Sequence, residues 1–396
     1  LEDILATTIP AREELVRKAS DLIPLLRKHA LWAEENRRLH DESIEALADA
    51  GVFKFRRPKH YGGYEVDHRT LADVGAALGQ GCGSTSWVAS VYWIPTWMAC
   101  QFPDEVQDEV FSTPDVRVCG TLSPSAMAKP VDGGIVVNGK WSFISGAHHA
   151  HWQEVIAILV PPDGEPYPVM GLVPMSDLLV VDDWQTSGLR GTGSVSTVAR
   201  DLFIPQERIL PLPAILQGQI ASKRNASSPI YRSPLLPVAS ASSVGTLVGM
   251  AKNAQQSFLS RMPERKITYT GYESQREAPI THFQVAEATN KVDQAEFHAQ
   301  RLATLVDTKA EEGTEWKLEE RARSRNDVGA TVRLAKEAID IFATASGGSS
   351  IYSGIPIQRI NRDIQAVNQH ALMHPNTNFE LYGRVLCGLE PNTLYI

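Results

Sequence analysis

The chain predicts an α+β protein in three parts: an N-terminal all-α domain over residues 1–115, a middle β-barrel-like domain over 116–215 and a C-terminal four-helix bundle over 216–396. Three observations predict it. Apolar residues recur at helical spacing up to about residue 112. From Val116 to about Leu212 the pattern turns to short apolar runs closed by proline and glycine. Helical spacing then returns from Val244 onward.

In the first part, Leu15, Ala19, Leu22, Leu25 and Leu26 recur at helical spacing, and Asp41 is placed to cap a helix through Ile44, Leu47 and Ala48 that stops at Gly51. RRPKHYGGYEVD (56–67) reads as a loop and LADVGAAL as a short helix. The segment 81–102 reads as a strongly apolar helix that Pro95 kinks or interrupts. Gly79, Gly81 and Gly83 lack a following Lys and a preceding strand, so they read as a helix-start turn and not a phosphate loop.

The middle part opens with Ile135-Val136-Val137, Asn138-Gly139 and Lys140-Trp141-Ser142-Phe143, a hairpin pattern turning at Asn-Gly. VIAILV (155–160), YPVMGLVP and STVARDLFIP supply further strands. Residues 213–235, rich in Ser and Pro, read as a linker or surface excursion. Segments 244–262, 282–310 and 326–346 read as long amphipathic helices, with another after Asn361, which together suggest an antiparallel bundle.

A net charge of −8 without any Lys/Arg block argues against nucleic acid as a partner. No run of 18 apolar residues is present, so no membrane partner is expected, and no charged-then-apolar leader is seen. Four scattered cysteines without a CxxC pair read as reduced and buried, which fits a cytoplasmic location.

Several motifs occur in order: CGTLSPSA (119–126), WSFISG (141–146), GLRGTGS (188–194), Arg276 followed by Phe283-Gln284, and SGGSS (346–350). In that order across three domains they resemble the acyl-CoA dehydrogenase superfamily over nearly the whole length. The resemblance implies a flavin between the β domain and the C-terminal bundle. The implied flavin-binding residues are Trp87, Thr121, Leu122, Ser123, Phe143, Ile144, Ser145, Arg276, Gly347, Gly348, Ser349, His370 and Ala371. Arg276 would reach a flavin phosphate from a neighbouring subunit of a homotetramer.

One departure separates the chain from the dehydrogenases. After Arg362-Asp363 comes IQAVNQHALMHPNT, with His370 near the place of the catalytic Glu. Proton abstraction beside a thioester needs a positioned base, usually a carboxylate. His370 together with Ser145 and the S-G-x-x-H-x-x-W stretch Ser145–Trp152 resembles instead the oxygenase components of two-component flavin monooxygenases. That resemblance implies reduced FAD or FMN, O2, and a C4a-(hydro)peroxyflavin that hydroxylates an aromatic substrate of indole, phenol or polycyclic type. Ser145 would bond near flavin N5, and His370 would either hold the peroxide or take a proton from the substrate. Trp87 and Phe143 would pack on the isoalloxazine, with Trp93, Trp97, His149 and Arg190 in the substrate pocket.

No GxGxxG follows a strand, so reduced flavin is expected from a separate NAD(P)H:flavin reductase. The cluster His148, His149 and His151 has no carboxylate or Cys at familiar ligand spacing, and no metal is expected. His374, four after His370, is either a second pocket residue or a helix-end residue. Trp93 and Trp97 are one helical turn apart, which core packing would equally explain. Other readings remain: a dehydrogenase-like oxidoreductase with a displaced base, an N- or S-oxygenating relative, or a helical scaffold that has lost its flavin.

Overall fold

A computed structural model describes residues 9–396; the opening residues, on which the expectation of no leader bears, lie outside the described part. Six helices come first: α1 (Arg12–Asp21), α2 (Ile23–Asn36), α3 (Asp41–Asp49), α4 (His68–Gly81), α5 (Gly83–Ala99) and α6 (Asp104–Val110). The cap of α3 is His40, one residue before Asp41, and its ring accepts the Glu42 N–H. Pro95 does not interrupt α5. Nearly every residue of that helix is buried, with Trp87 and Trp97 in one core cluster and Tyr92 and Trp93 in the other. Packing on both sides holds the helix where local preference would break it.

Eight strands follow: β1 (Val118–Gly120), β2 (Ala126–Val131), β3 (Gly134–Ile144), β4 (Trp152–Leu159), β5 (Tyr167–Pro174), β6 (Leu179–Val181), β7 (Val195–Pro205) and β8 (Ile209–Pro211). Their order is β6-β7-β3-β2-β4-β5-β8, with β1 added parallel to β4. The hairpin does not turn at Asn138-Gly139. β3 runs through that pair, and the turn from β2 is Asp132-Gly133, where Gly133 takes φ +76°. Asn138 sits at a register shift in the β3–β7 ladder. Its side-chain amide donates to Asp201 at 2.9 Å and its carbonyl accepts the Asp201 N–H at 2.8 Å. That paired bulge absorbs the Asn-Gly dipeptide.

The remaining helices are α7 (Leu212–Leu216), α8 (Leu235–Arg261), α9 (Pro279–Glu312), α10 (Leu318–Ala345), α11 (Pro356–Val367) and α12 (Pro375–Leu386). The Ser/Pro-rich stretch before α8 is a packed strap and not a loose linker. Asn225 donates to the Cys100 carbonyl at 3.0 Å, Tyr231 is fully buried with its hydroxyl on the Arg56 carbonyl, and the Ile230 carbonyl takes the Trp97 indole N–H at 2.6 Å. Helix α8 is apolar enough by composition to cross a membrane, but 94% of its apolar window is buried inside the fold. It is the central helix of the bundle.

The first and last parts join along α4 and α8, each carrying a glycine pair four residues apart. A Cβ on Gly245 would lie 2.1 Å from the Ala72 carbonyl oxygen, and one on Gly79 would lie 2.9 Å from Gly249 Cα. Only hydrogens fit there, so the two backbones run in contact. Ser86 on α5 adds a buried hydroxyl bond to Thr246 at 2.8 Å. Cys82, Cys100 and Cys119 are buried as expected, whereas Cys387 is exposed, past the end of α12.

Candidate active site around Ser145 and His370

Strand β3 ends in a second irregularity, between Trp141 and Ile144. Phe143 there takes φ +66°, a strained value for a bulky residue, and its ring is 67% exposed. The bulge turns Phe143 outward, edge-on to Trp184 at 6.0 Å, and turns Ile144 and Ser145 inward.

Ser145 is buried and is the hub of a polar cluster. The Trp87 indole N–H donates to its Oγ at 3.3 Å, and its Oγ lies 2.7 Å from that of Ser194. Ser194 Oγ lies 2.6 Å from Thr192 Oγ1, and Thr192 donates to the Leu189 carbonyl at 2.8 Å. Thr192 and Ser194 belong to the GLRGTGS stretch, but their hydroxyls carry no pattern that distinguishes them from ordinary loop residues.

His370 lies in the turn between α11 and α12, five residues before α12 begins. The helix expected after Asn361 starts earlier, at Pro356, and Pro375 opens a new helix where a helix end was expected. His370 and His374 therefore do not share a helical face. His370 packs edge-on to Trp87 at 5.1 Å. His370 is exposed in this turn, yet surrounding protein pushes its pKa down to about 4. His370, Trp87 and Ser145 thus meet at one corner, the recess between β3, α5 and the turn after α11. His370 Nδ1 accepts the Leu372 N–H at 3.2 Å. A neutral imidazole has one N–H, so its proton sits on Nε2 and the ring offers a donor.

Asp363 on α11 is buried, and burial raises its pKa to about 6. Its Oδ1 accepts the Leu189 N–H at 2.7 Å, which fixes the 188–194 loop to α11. Thr121 and Leu122 are half-buried and Ser123 is exposed, all just past β1. The Leu122 carbonyl accepts the Tyr395 hydroxyl at 3.1 Å, a contact with the chain end that no motif signals.

The residues expected to line a substrate pocket are placed differently. The Trp93 N–H donates to the Val52 carbonyl at 2.9 Å, and its ring stacks on Phe55, so both it and the fully buried Trp97 are packing residues. Arg190 clamps the loop to α2 through the Glu34 carbonyl and braces its own stretch through the Thr186 carbonyl. His149 bonds the Leu39 carbonyl at 3.1 Å, and His151 Nδ1 accepts the Arg117 N–H. Burial and the Arg117 charge hold His151 near pKa 4. His149 fastens the β domain to the α2–α3 turn, and His151 ties the start of β4 to the backbone before β1. Elsewhere, His29, His40 and Glu42 bring their ligand atoms within 4.8 Å of one another. The His40 cap and the 2.6 Å His29–Glu42 bond account for that cluster as a helix-start clamp.

A second group of expected residues lies at the edge of the bundle. Arg276 is exposed beside α9, and with Thr281 and His282 it lines a groove of about 650 Å³. Gln275 donates to the Ala345 carbonyl at 2.7 Å, which brings the Arg276 turn against Gly347 and Gly348. Gly347 takes φ +65° and faces Arg265, whose Nη1 is buried without a partner. Sequence reasoning misses Arg265, because a lone Arg before a loop carries no signal. Gly348 and Ser349 are exposed, as is Ala371 beside His370.

Family models for acyl-CoA dehydrogenase match residues 13–113 (N-terminal domain) and 241–375 (C-terminal domain). The chain is 31% identical to the flavin-dependent monooxygenase oxygenase subunit HsaA of Rhodococcus jostii, over 94% of this chain and 98% of that one. It is 32% identical to the FADH2-dependent resorcinol hydroxylase oxygenase component of a Rhizobium species, over 96% of each chain. Among solved structures, XiaF from a Streptomyces species, in complex with FADH2 and glycerol, superimposes with a TM-score of 0.90 at 30% identity, covering 96% of this chain and 97% of that one.

Proposed function

The chain belongs to the flavin-dependent monooxygenases built on the acyl-CoA dehydrogenase fold, and on that premise we propose that it is the oxygenase component of a two-component system that hydroxylates an aromatic substrate. The observation that carries this reading is the recess itself. It joins a buried hydroxyl at Ser145, an indole wall at Trp87 and a neutral imidazole donor at His370. No carboxylate base stands in the position after Arg362-Asp363.

The residues fit a flavin. Phe143 is held outward by strained backbone, the Ser145 hydroxyl is buried between the Trp87 N–H and Ser194, and Arg265 has an unpartnered N–H beside a glycine turn. Ser145 would meet the N5 region, Trp87 and Phe143 would flank the ring system, and Thr121, Leu122 and Ser123 would lie along its pyrimidine side. Arg276, Gly347, Gly348 and Ser349 would hold the phosphate-bearing tail. Bound reduced flavin supplies the two electrons that activate O2, placing one oxygen atom on the ring carbon and the other in water.

The chain's own groups orient and protect that chemistry. With its proton on Nε2, His370 would hold the reacting oxygen as a donor and would not act as the base that deprotonates the substrate. A preorganised donor of this kind is worth most where bound flavin and substrate displace water from around it. The resorcinol and p-hydroxyphenylacetate hydroxylases among the relatives favour phenolic substrates. FADH2 is favoured as the flavin, with a separate reductase supplying it. Ile280, Phe283 and Phe297 lie exposed on one face of α9, which supports a homotetramer. Three buried free cysteines fit a cytoplasmic location.

The test is a single-turnover reaction of the enzyme, preloaded with reduced FAD, with labelled O2 and a panel of resorcinols, phenols and indoles. Labelled oxygen in the aromatic product is expected. Hydrogen peroxide alone with every aromatic would contradict the reading.

A further inference from the structure

The hydroxyl chain behind Ser145 has a direction that follows from counting protons. Leu189 contributes a carbonyl, which only accepts. Thr192 therefore gives its single hydroxyl hydrogen to Leu189, at 2.8 Å. Between Thr192 and Ser194, at 2.6 Å, the donor must then be Ser194. Between Ser194 and Ser145, at 2.7 Å, the donor must be Ser145. Trp87 donates its indole N–H to Ser145 Oγ at 3.3 Å. Ser145 is left with one lone pair and no hydrogen to give. All three hydroxyls are buried, Thr192 at 1% exposure and Ser194 at 4%, so water does not compete to reverse the order.

We propose that Thr192 and Ser194 are positioning residues that polarise Ser145 into an acceptor, so that the site selects a flavin carrying a hydrogen on N5 over one that does not. This rests on the reading that Ser145 faces N5. A reduced flavin presents N5–H and satisfies the lone pair. An oxidised flavin presents an N5 lone pair against the lone pair of Ser145. The preference suits a protein that receives reduced flavin from elsewhere and must release the oxidised product. The Leu189 carbonyl anchors the chain firmly, because the Trp184 indole and the Thr192 backbone N–H also donate to it, at 3.0 and 3.1 Å.

The geometry also says what breaks the polarity. In Thr192→Val the Leu189 carbonyl keeps two donors, so no buried group is orphaned. Ser194 is then free to donate to Ser145, and Ser145 to donate to N5 of the oxidised ring. Ser194→Ala frees the Ser145 hydrogen directly. Thr192→Ser keeps the hydroxyl and the order.

The experiment is anaerobic equilibrium dialysis of the full-length protein with FAD and with dithionite-reduced FAD. The readout is the ratio of oxidised to reduced Kd. Thr192→Val and Ser194→Ala are expected to lower that ratio about tenfold, mainly by tightening the oxidised form, the scale of one hydrogen bond gained in place of a repulsion. Thr192→Ser is expected to keep the wild-type ratio within about twofold. If Ser145→Ala shifts the ratio while Thr192→Val and Ser194→Ala leave it unchanged, the relay is overturned and the Ser145 assignment stands. If Ser145→Ala also changes neither Kd, Ser145 does not face N5 and both readings fall.

Discussion

The recess around Ser145 and the edge around Arg276 differ in how complete they are within one chain. In the recess, β3, α5, the 188–194 loop and the turn after α11 converge, and Ser145, Ser194 and Thr192 bond to one another. At the edge, Arg276, Gly347, Gly348 and Ser349 are exposed, and Arg265 Nη1 has no partner. The difference teaches a division of labour. On the proposed function, the hydrogen-bonded recess would carry the chemistry and the open edge would grip the tail of the flavin.

The sharpest way to break that comparison is to remove the donor of the recess. His370→Ala is expected to lower product formation about 100-fold, the scale of one preorganised donor, while reduced-flavin affinity changes little. Product and peroxide yields per flavin oxidised check this. A next test strikes the seam between the first and last parts. Gly245→Ala forces a methyl onto the Ala72 carbonyl, and overpacking of that kind is expected to cost about 3 kcal/mol, read from denaturant unfolding.

The edge should respond in the opposite sense to the recess. Arg276→Ala is expected to weaken FADH2 binding about tenfold, the loss of one charge-assisted bond, with hydroxylation at saturating flavin unchanged. FMNH2, which lacks the distal phosphate, is expected to show a smaller loss. The smallest effect is a null one. Because the folded His370 takes up its proton only near pH 4, the product-forming rate is expected to show no break from this residue between about pH 5 and about pH 8. The linkage has a definite sign. The unfolded ring protonates near its ordinary 6.5 and the folded ring does not until about 4, so this residue's contribution favours unfolding as pH falls through that window. An NMR titration of the His370 ring checks both statements.

Much of this was legible in the sequence because long periodic segments and ordered motifs are cooperative signals. The three-part order rests on such patterns, and so does the choice of Ser145, which the structure buries at the end of β3. Local turn chemistry was less reliable. Asn138-Gly139 looks like a hairpin, but Asp132-Gly133 is an equally good turn earlier in the chain, and the Asn138–Asp201 pairing makes the later site a bulge. Pro375 punctuates a helix, yet the residue alone does not say whether it ends one or begins one. The tryptophans of α5 show the limit for side chains: nothing in the spacing of Trp93 and Trp97 reveals that both indole N–H groups meet distant carbonyls, of Val52 and Ile230. The Thr192–Ser194 relay was hidden for the same reason, since it depends on contacts across 49 positions of chain.

The most direct measurement of the central claim is the return of oxidised-flavin absorbance after O2 is mixed with the reduced-FAD complex. The recess as described predicts a lag before that absorbance rises, a lag that Ser145→Ala shortens or abolishes. Immediate oxidation at the rate of free reduced FAD, the same in wild type and Ser145→Ala, would contradict it.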